Sequence, residues 1–309
     1  MGGRVESGEA VTGTCWHIHA VVAATCKADA MSEQPAPPVG LLDGRTILVT
    51  GVLRPASIAT AIATAAREQG ARVVLTGHPR TLSLTRAVAR RHGLDLVLPL
   101  DVTDPADLAE LAPRLRAAGV GRLDGVVHAI AHADAELLGT LLPGPDGDPD
   151  AAPATAGAGR QQRLAEAFTT TAASLPALVD AVRPLLAPRA AVVALTFDTS
   201  HVHSGYGWMG PLKAALEACV RSLAVELGPA GVRVNAIGAG PLSTPAAGAI
   251  PGLDALARHW ETTAPLGWDH RDARPVARTA VALLSDWLPA TTGQVIRADG
   301  GATLPLTVG

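Results

Sequence analysis

The chain of 309 residues has few aromatic side chains, 3% in all, and one tyrosine, Tyr206. Lysine is almost absent too: of a combined Lys+Arg count of 25, only Lys27 and Lys213 are lysines. The three cysteines, Cys15, Cys26 and Cys219, have no short, even spacing. That excludes a disulfide scaffold and fits a reduced, cytoplasmic setting. No run of about 18 apolar residues occurs, so no membrane span is expected. The net charge of -3 provides no basic field, which argues against nucleic-acid binding as the main activity. With 48% hydrophobic and 17% charged residues, the chain has ample material for a packed core and does not read as disordered.

Where tyrosine and lysine are this scarce, a Tyr and a Lys seven residues apart carry information. The segment YGWMGPLK runs from Tyr206 to Lys213. On a helix, seven residues turn through about 700° and rise about 10.5 Å, placing both side chains on one face without contact. That arrangement suits a cofactor–substrate pair, with Lys213 on ribose hydroxyls and Tyr206 on a reacting oxygen. The plainer alternative is a buried tyrosine and a surface lysine with no shared purpose.

Residues 1–40 show no sustained periodicity and no basic leader typical of a secretory signal. Met31 opens a polar, proline-rich lead into Leu41, which reads as an N-terminal extension, disordered or upstream of the true start at Met31. Cys15, His17, His19 and Cys26 lack a second ligand cluster, so no metal site is expected.

From Arg45 onward, strands and helices alternate. Short Val/Ile/Leu-rich strands are expected at residues 45–50, 72–76, 94–100, 125–131, 191–197, 232–237 and 294–297. Helices are expected at 57–69, 107–118, 161–186, 212–227 and 275–284, the third kinked or ended by Pro176 and Pro184. Strands without in/out alternation suit a parallel sheet buried on both faces. The expected fold is therefore α/β: a single Rossmann-like, doubly wound parallel sheet of seven strands flanked by helices, spanning residues 41–309. Residues 139–160, rich in Pro, Gly and Asp, leave the C-terminal end of the fourth strand. They are either a gate over the site or a tolerated insertion.

The first strand runs into Gly51 and, after VLRPA, Ser57 and Ile58. Gly51 permits a tight turn beside a ligand. Ser57 can cap the following helix, whose free N–H groups and positive dipole end suit a pyrophosphate. Asp101 and Val102, at the end of the third strand, suit an adenine, although Asp101 also reads as a simple helix cap.

Past Leu41 the chain resembles the NADH-dependent enoyl-[acyl-carrier-protein] reductases of mycobacterial type, a divergent branch of the short-chain dehydrogenases/reductases. The resemblance rests on LLDG at 41–44, LDGVVH at 123–128, VRVN at 232–235, LLSDWLPATTG at 283–293 and DGG at 299–301. It also rests on the Tyr-to-Lys spacing, which ordinary members of the larger family hold at four residues and this branch at seven. The resemblance implies reduction of trans-2-enoyl thioesters on acyl carrier protein or CoA in fatty acid biosynthesis, by a cytoplasmic homotetramer. It further implies that Gly51, Ser57, Ile58, His78, Asp101, Val102, Ala129, Ile130, Ala131, Lys213, Pro241, Leu242 and Thr244 bind the cofactor. Tyr206, Lys213 and Phe197 would be catalytic, and Tyr206, Phe197 and Met209 would meet the substrate.

The chain also departs from that pattern. Ala129 and Ala131 stand where the family has serine and glycine, Thr196 where the mycobacterial type has an acid, and Arg54-Pro55 where it has a small polar pair. Pro211 should either start or kink the helix carrying Lys213. Segment 244–268, which should cover the acyl chain, is short. No acid follows the second strand, and Arg80 offers a partner for a 2′-phosphate, so NADPH stands beside NADH, which the resemblance favours. Two other readings remain open: another short-chain reductase acting on 3-ketoacyl or specialised substrates, and a catalytically impaired cofactor-binding paralogue.

Overall fold

A computed structural model describes residues 40–142, 153–244 and 247–304, together with Gly2. Contacts divide the chain into Met1–Ala36 and Pro37–Gly309, and among the described residues every strand and helix belongs to the second unit. The expectations for residues 1–39, including the rejected metal set, and for residues 143–152 of the loop lie outside the described residues, Gly2 excepted.

Seven strands form one sheet: β1 (Thr46–Val49), β2 (Arg72–Gly77), β3 (Leu96–Pro99), β4 (Leu123–His128), β5 (Leu186–Thr196), β6 (Arg233–Ala239) and β7 (Val295–Ala298). Their order is β3-β2-β1-β4-β5-β6-β7, and every pair is parallel. The chain winds outward from β1 to β3, then returns to place β4 on the other side of β1. The crevice between the C-terminal ends of β1 and β4 is the topological switch point, where such sheets bind ligands.

The helices are α1 (Ile58–Glu68), α2 (Leu82–Arg91), α3 (Pro105–Ala109), α4 (Leu111–Ala117), α5 (Pro153–Phe168), α6 (Ser174–Val182), α7 (Met209–Leu227), α8 (Leu253–Thr263) and α9 (Arg274–Leu284). Side-chain alternation along the strands fills two cores. Ile47, Val49, Val127 and Val193 face one layer with Ile62 of α1 and Val276 of α9. Leu48, Val126 and Val192 face the other with Leu115 of α4, Leu178 of α6 and Leu216 of α7. Each fully buried leucine or isoleucine contributes about 1.5–3 kcal/mol. Both sheet faces are therefore covered, which accounts for the missing alternation in the sequence.

Several local expectations differ from the structure. The helix expected at 107–118 is two short ones, α3 and α4; Asp104 caps α3, its carboxylate accepting from the Ala106 N–H at 2.9 Å. The helix expected at 161–186 starts earlier, at Pro153, and is interrupted by a π turn at Thr169–Ala173. Pro176 falls in the first turn of α6, and Pro184 in a 3₁₀ turn, Arg183–Leu185. The fifth strand begins at Leu186 rather than 191. Helices α2 and α8 have no counterpart among the expected elements.

The largest correction concerns Tyr206, which is not on the helix that carries Lys213. That helix starts at Met209, and Tyr206 lies in the preceding turn, bridged to Gly139. The glycines flanking Tyr206 explain this. Gly205 (φ +80°) and Gly207 (φ +48°) both adopt left-handed backbone, and added Cβ atoms would stand 1.9 Å from the Pro251 carbonyl oxygen and 2.4 Å from that of Leu137. Pro211 causes no kink: it sits in the first turn of α7, where a backbone N–H has no intrahelical partner to lose.

Candidate active site

A cleft of about 870 Å³ opens at the switch point. Every residue expected at the cofactor or substrate lines it, from Gly51, Ser57 and Ile58 through His78, Asp101, Val102 and Ala129–Ile130–Ala131 to Phe197, Tyr206, Met209, Lys213, Pro241, Leu242 and Thr244.

The floor is built by the end of β1. Gly51 has φ +80°, and a Cβ there would lie 2.0 Å from the carbonyl oxygen of Ala129, so only glycine lets these two segments meet. Buried Thr50 joins them: its hydroxyl donates to Val127 O at 3.0 Å and accepts from the Ala129 N–H at 3.2 Å. Ser57 caps α1, its hydroxyl oxygen accepting from the Thr60 N–H at 3.2 Å. The first turn of α1 therefore points into the cleft with a positive dipole end.

At the far end, His78 bridges two strand ends. Its Nδ1 accepts from the Arg80 N–H at 3.1 Å, leaving Nε2 to donate to Asp101 Oδ2 at 3.1 Å. The network assigns this tautomer. Burial raises the Asp101 pKa, but the hydrogen bonds from Thr103 and the neighbouring His78 outweigh it and leave a net lowering.

The opposite wall comes from β5, the turn at Tyr206 and α7. Lys213 is buried, and its Nζ donates to Leu195 O at 2.8 Å. Burial pulls its pKa down to about 8, while the charge of Glu217 acts upward. Tyr206 is buried, and both burial and Glu217 raise its pKa, so the phenol stays protonated as a donor. The Phe197 ring lies 5.0 Å from that of Tyr206, 4.8 Å from His203 and 5.7 Å from Trp260. Leu138, Met209, Ile250, Leu253 and Leu256 give the cleft an apolar part of its lining. Trp268 fixes the β6 side, its Nε1 donating to Pro241 O at 2.8 Å.

Reading the sequence missed the side chains that hold this wall. Asp198 accepts from Ser200, His201 Nδ1 (2.8 Å) and His203 Nε2 (3.0 Å), and pairs with Arg297 at 3.2 Å. Burial opposes its ionisation, but those bonds win and hold its pKa at about 2. Glu217 accepts from the Thr196 and Thr199 hydroxyls, each at 2.8 Å. One signal was available for Glu217: it stands four residues after Lys213, on the same helix face. For Asp198, the partners Ser200, His201 and His203 stand within five residues in its own loop, whereas Arg297 comes from β7 and left no local signal. His128 stands in the sequence only as part of the LDGVVH motif, yet it is fully buried. Its Nε2 bonds Ser174 Oγ at 2.7 Å, and burial followed by the Lys213 charge lowers its pKa to about 3.

Strand order, the glycine turn and a helix N-terminus at the switch point together define a dinucleotide-binding α/β protein. A family model described as "Enoyl-(Acyl carrier protein) reductase" matches residues 51–303, and the chain belongs to that family. The enoyl-[acyl-carrier-protein] reductase [NADH] of Mycolicibacterium smegmatis is 40% identical over 279 residues, covering 86% of this chain and 99% of its own. The enzyme of the same name from Mycobacterium avium is 39% identical over 280 residues, covering 86% and 99%. That from Haemophilus influenzae is 34% identical over 274 residues, covering 86% and 97%.

Proposed function

We propose that this protein reduces the C2–C3 double bond of trans-2-enoyl thioesters, carried on acyl carrier protein or CoA, with NADH, in fatty acid biosynthesis. The observation that carries the reading is one cleft in which a buried phenol, a buried amine and an aromatic wall face a glycine turn and a helix N-terminus. The names of the relatives support it. The residues present fit a dinucleotide: Gly51 allows backbone approach, α1 offers N–H groups to a pyrophosphate, and Asp101 with Val102 closes the adenine end.

Bound NADH supplies the hydride that reaches C3 of the enoyl group. Lys213 would hold the nicotinamide ribose, and Ala129, Ile130, Ala131, Pro241, Leu242 and Thr244 would shape the seat around it. His78 would meet the adenine. As charge develops on the thioester oxygen, Tyr206 donates its O–H to it, stabilising an enolate before C2 takes up a proton. Phe197 and Met209 exclude water and orient the enoyl carbon.

The test is NADH oxidation by the purified protein with crotonyl-CoA, a longer 2-enoyl-CoA and a 3-ketoacyl thioester. Turnover with the enoyl substrates alone is expected. Turnover only with the ketoacyl thioester, or NADH binding without turnover, overturns the reading.

The reductase unit is residues 41–309, and the relatives support this by matching 86% of the chain with 99% of their own length. We place the enzyme in the cytoplasm; no helix among the described residues is long and apolar enough to cross a membrane. We take the assembly to be a homotetramer, as the resemblance to this family implies. Light scattering on the purified protein tests this.

A further inference from the structure

We propose that Glu217 is a positioning residue of the site, the counter-charge that keeps the Lys213 ammonium charged in its buried setting. This rests on the reading of Lys213 as the cofactor anchor. The two residues are four apart on α7, hence on one face. Both are buried, at 6% and 8% exposure, so their charges act through protein rather than water. They reach adjacent residues of β5: Lys213 Nζ donates to Leu195 O, and Glu217 Oε1 accepts from Thr196 Oγ1, each at 2.8 Å. Glu217 Oε2 accepts from Thr199 Oγ1, past Phe197. Amine and carboxylate therefore both bond the strand end that presents Phe197, from the same face of α7.

The other groups around the amine do not replace this charge. On β4, His128 is held neutral by burial and by Lys213 itself. Before α7, Tyr206 is a protonated phenol. Behind β5 lies a polar cavity of about 150 Å³, lined by Asp198, Thr199, Glu217, Arg297, Asp299 and Thr303. Of its charged groups, Asp198 is taken up by Arg297 and two imidazoles, and Asp299 by the Gly301 N–H and Thr303. Glu217 is the carboxylate that borders this cavity and shares a helix face with the amine. Burial alone drives a lysine toward the neutral amine, and the nearby carboxylate opposes that drift.

The scarcity of lysine makes a direct experiment simple. Protein labelled with [15N]lysine contains two Nζ signals, from Lys27 and Lys213, and Lys27→Arg assigns them. The Lys213 signal is titrated without cofactor in the wild type, Glu217→Gln, Glu217→Met and Thr199→Val. Both Glu217 variants should lower the Lys213 midpoint by about one pH unit or more. NADH affinity should then fall away at a correspondingly lower pH. Thr199→Val removes a donor but keeps the charge, and should leave the midpoint in place. Glu217→Met preserves bulk without a charge, so the titration remains readable should the Gln variant not fold. An unchanged midpoint in the folded Glu217 variant, or an equal fall in Thr199→Val, overturns the proposal. Unchanged NADH affinity in Lys213→Ala would overturn the anchor role alone and leave the charge coupling standing.

Discussion

The rings of Phe197 and Tyr206 lie 5.0 Å apart, centroid to centroid, and are tilted at 56° to one another. One follows the last residue of β5; the other sits in a glycine-flanked turn before α7. Their contact makes one continuous aromatic wall beside the buried amine of Lys213, and the proposed chemistry depends on that wall.

Removing the phenolic hydroxyl should act on turnover and not on binding. Tyr206→Phe keeps the ring against Phe197 but loses the donor to the developing oxyanion. The expected fall in kcat is about 10²–10³, roughly 3–4 kcal/mol, with NADH affinity intact. Steady-state rates with an enoyl-CoA and fluorescence titration of NADH check both parts.

Lys213→Ala should act on binding first. The variant loses both the ammonium and the Leu195 tether, and NADH affinity should drop about tenfold or more, or about 1.4 kcal/mol. Calorimetric titration of NADH measures it.

Gly51→Ala places a Cβ where the Ala129 carbonyl oxygen stands, 2.0 Å away, on a backbone with φ +80°. Left-handed strain alone costs about 1–3 kcal/mol, and the clash adds to it. A lower Tm together with weakened NADH binding is expected; a variant matching the wild type in both would disprove the close approach.

Stability should fall in acid through His128. Its folded pKa, about 3, lies below the ordinary 6.5, because burial and the Lys213 charge favour the neutral ring. The contribution is complete above about pH 6.5 and is lost as pH falls toward 3, because the unfolded state takes up a proton that the folded state refuses. His128→Gln, which can still bond Ser174, should unfold with a flatter dependence between those limits. Denaturant midpoints across that range give the slope.

The seven strands and the switch-point cleft were legible because short runs such as TILV and LDGVVH must be buried on both faces, and a glycine after the first strand leaves few topologies open. Helices α2 and α8 were not legible. Helix α2 buries only Thr85, Val88 and Ala89 and carries Arg86, Arg90 and Arg91, and α8 buries only Ala257 and Trp260, so each has an apolar face made of very few residues within a largely polar stretch. Every residue expected in the site lines the cleft, yet the helical geometry expected for Tyr206 and Lys213 does not hold. The spacing suggested one helix; the positive φ of Gly205 and Gly207 puts the phenol in a turn instead.

Sequence alone determined the alternating α/β architecture, the glycine turn after the first strand and the seven-residue separation of the fold's single phenol from its single amine. These depend on local properties: apolar runs, glycine's backbone freedom and the rarity of two residue types. Tertiary structure decided which charges surround that amine and what holds Phe197 in place. Asp198 and His203 share the loop after β5, but Glu217 comes from α7 and Arg297 from β7, and a carboxylate's effect depends on the distance and burial of its neighbours, which exist only once the sheet and α7 have packed.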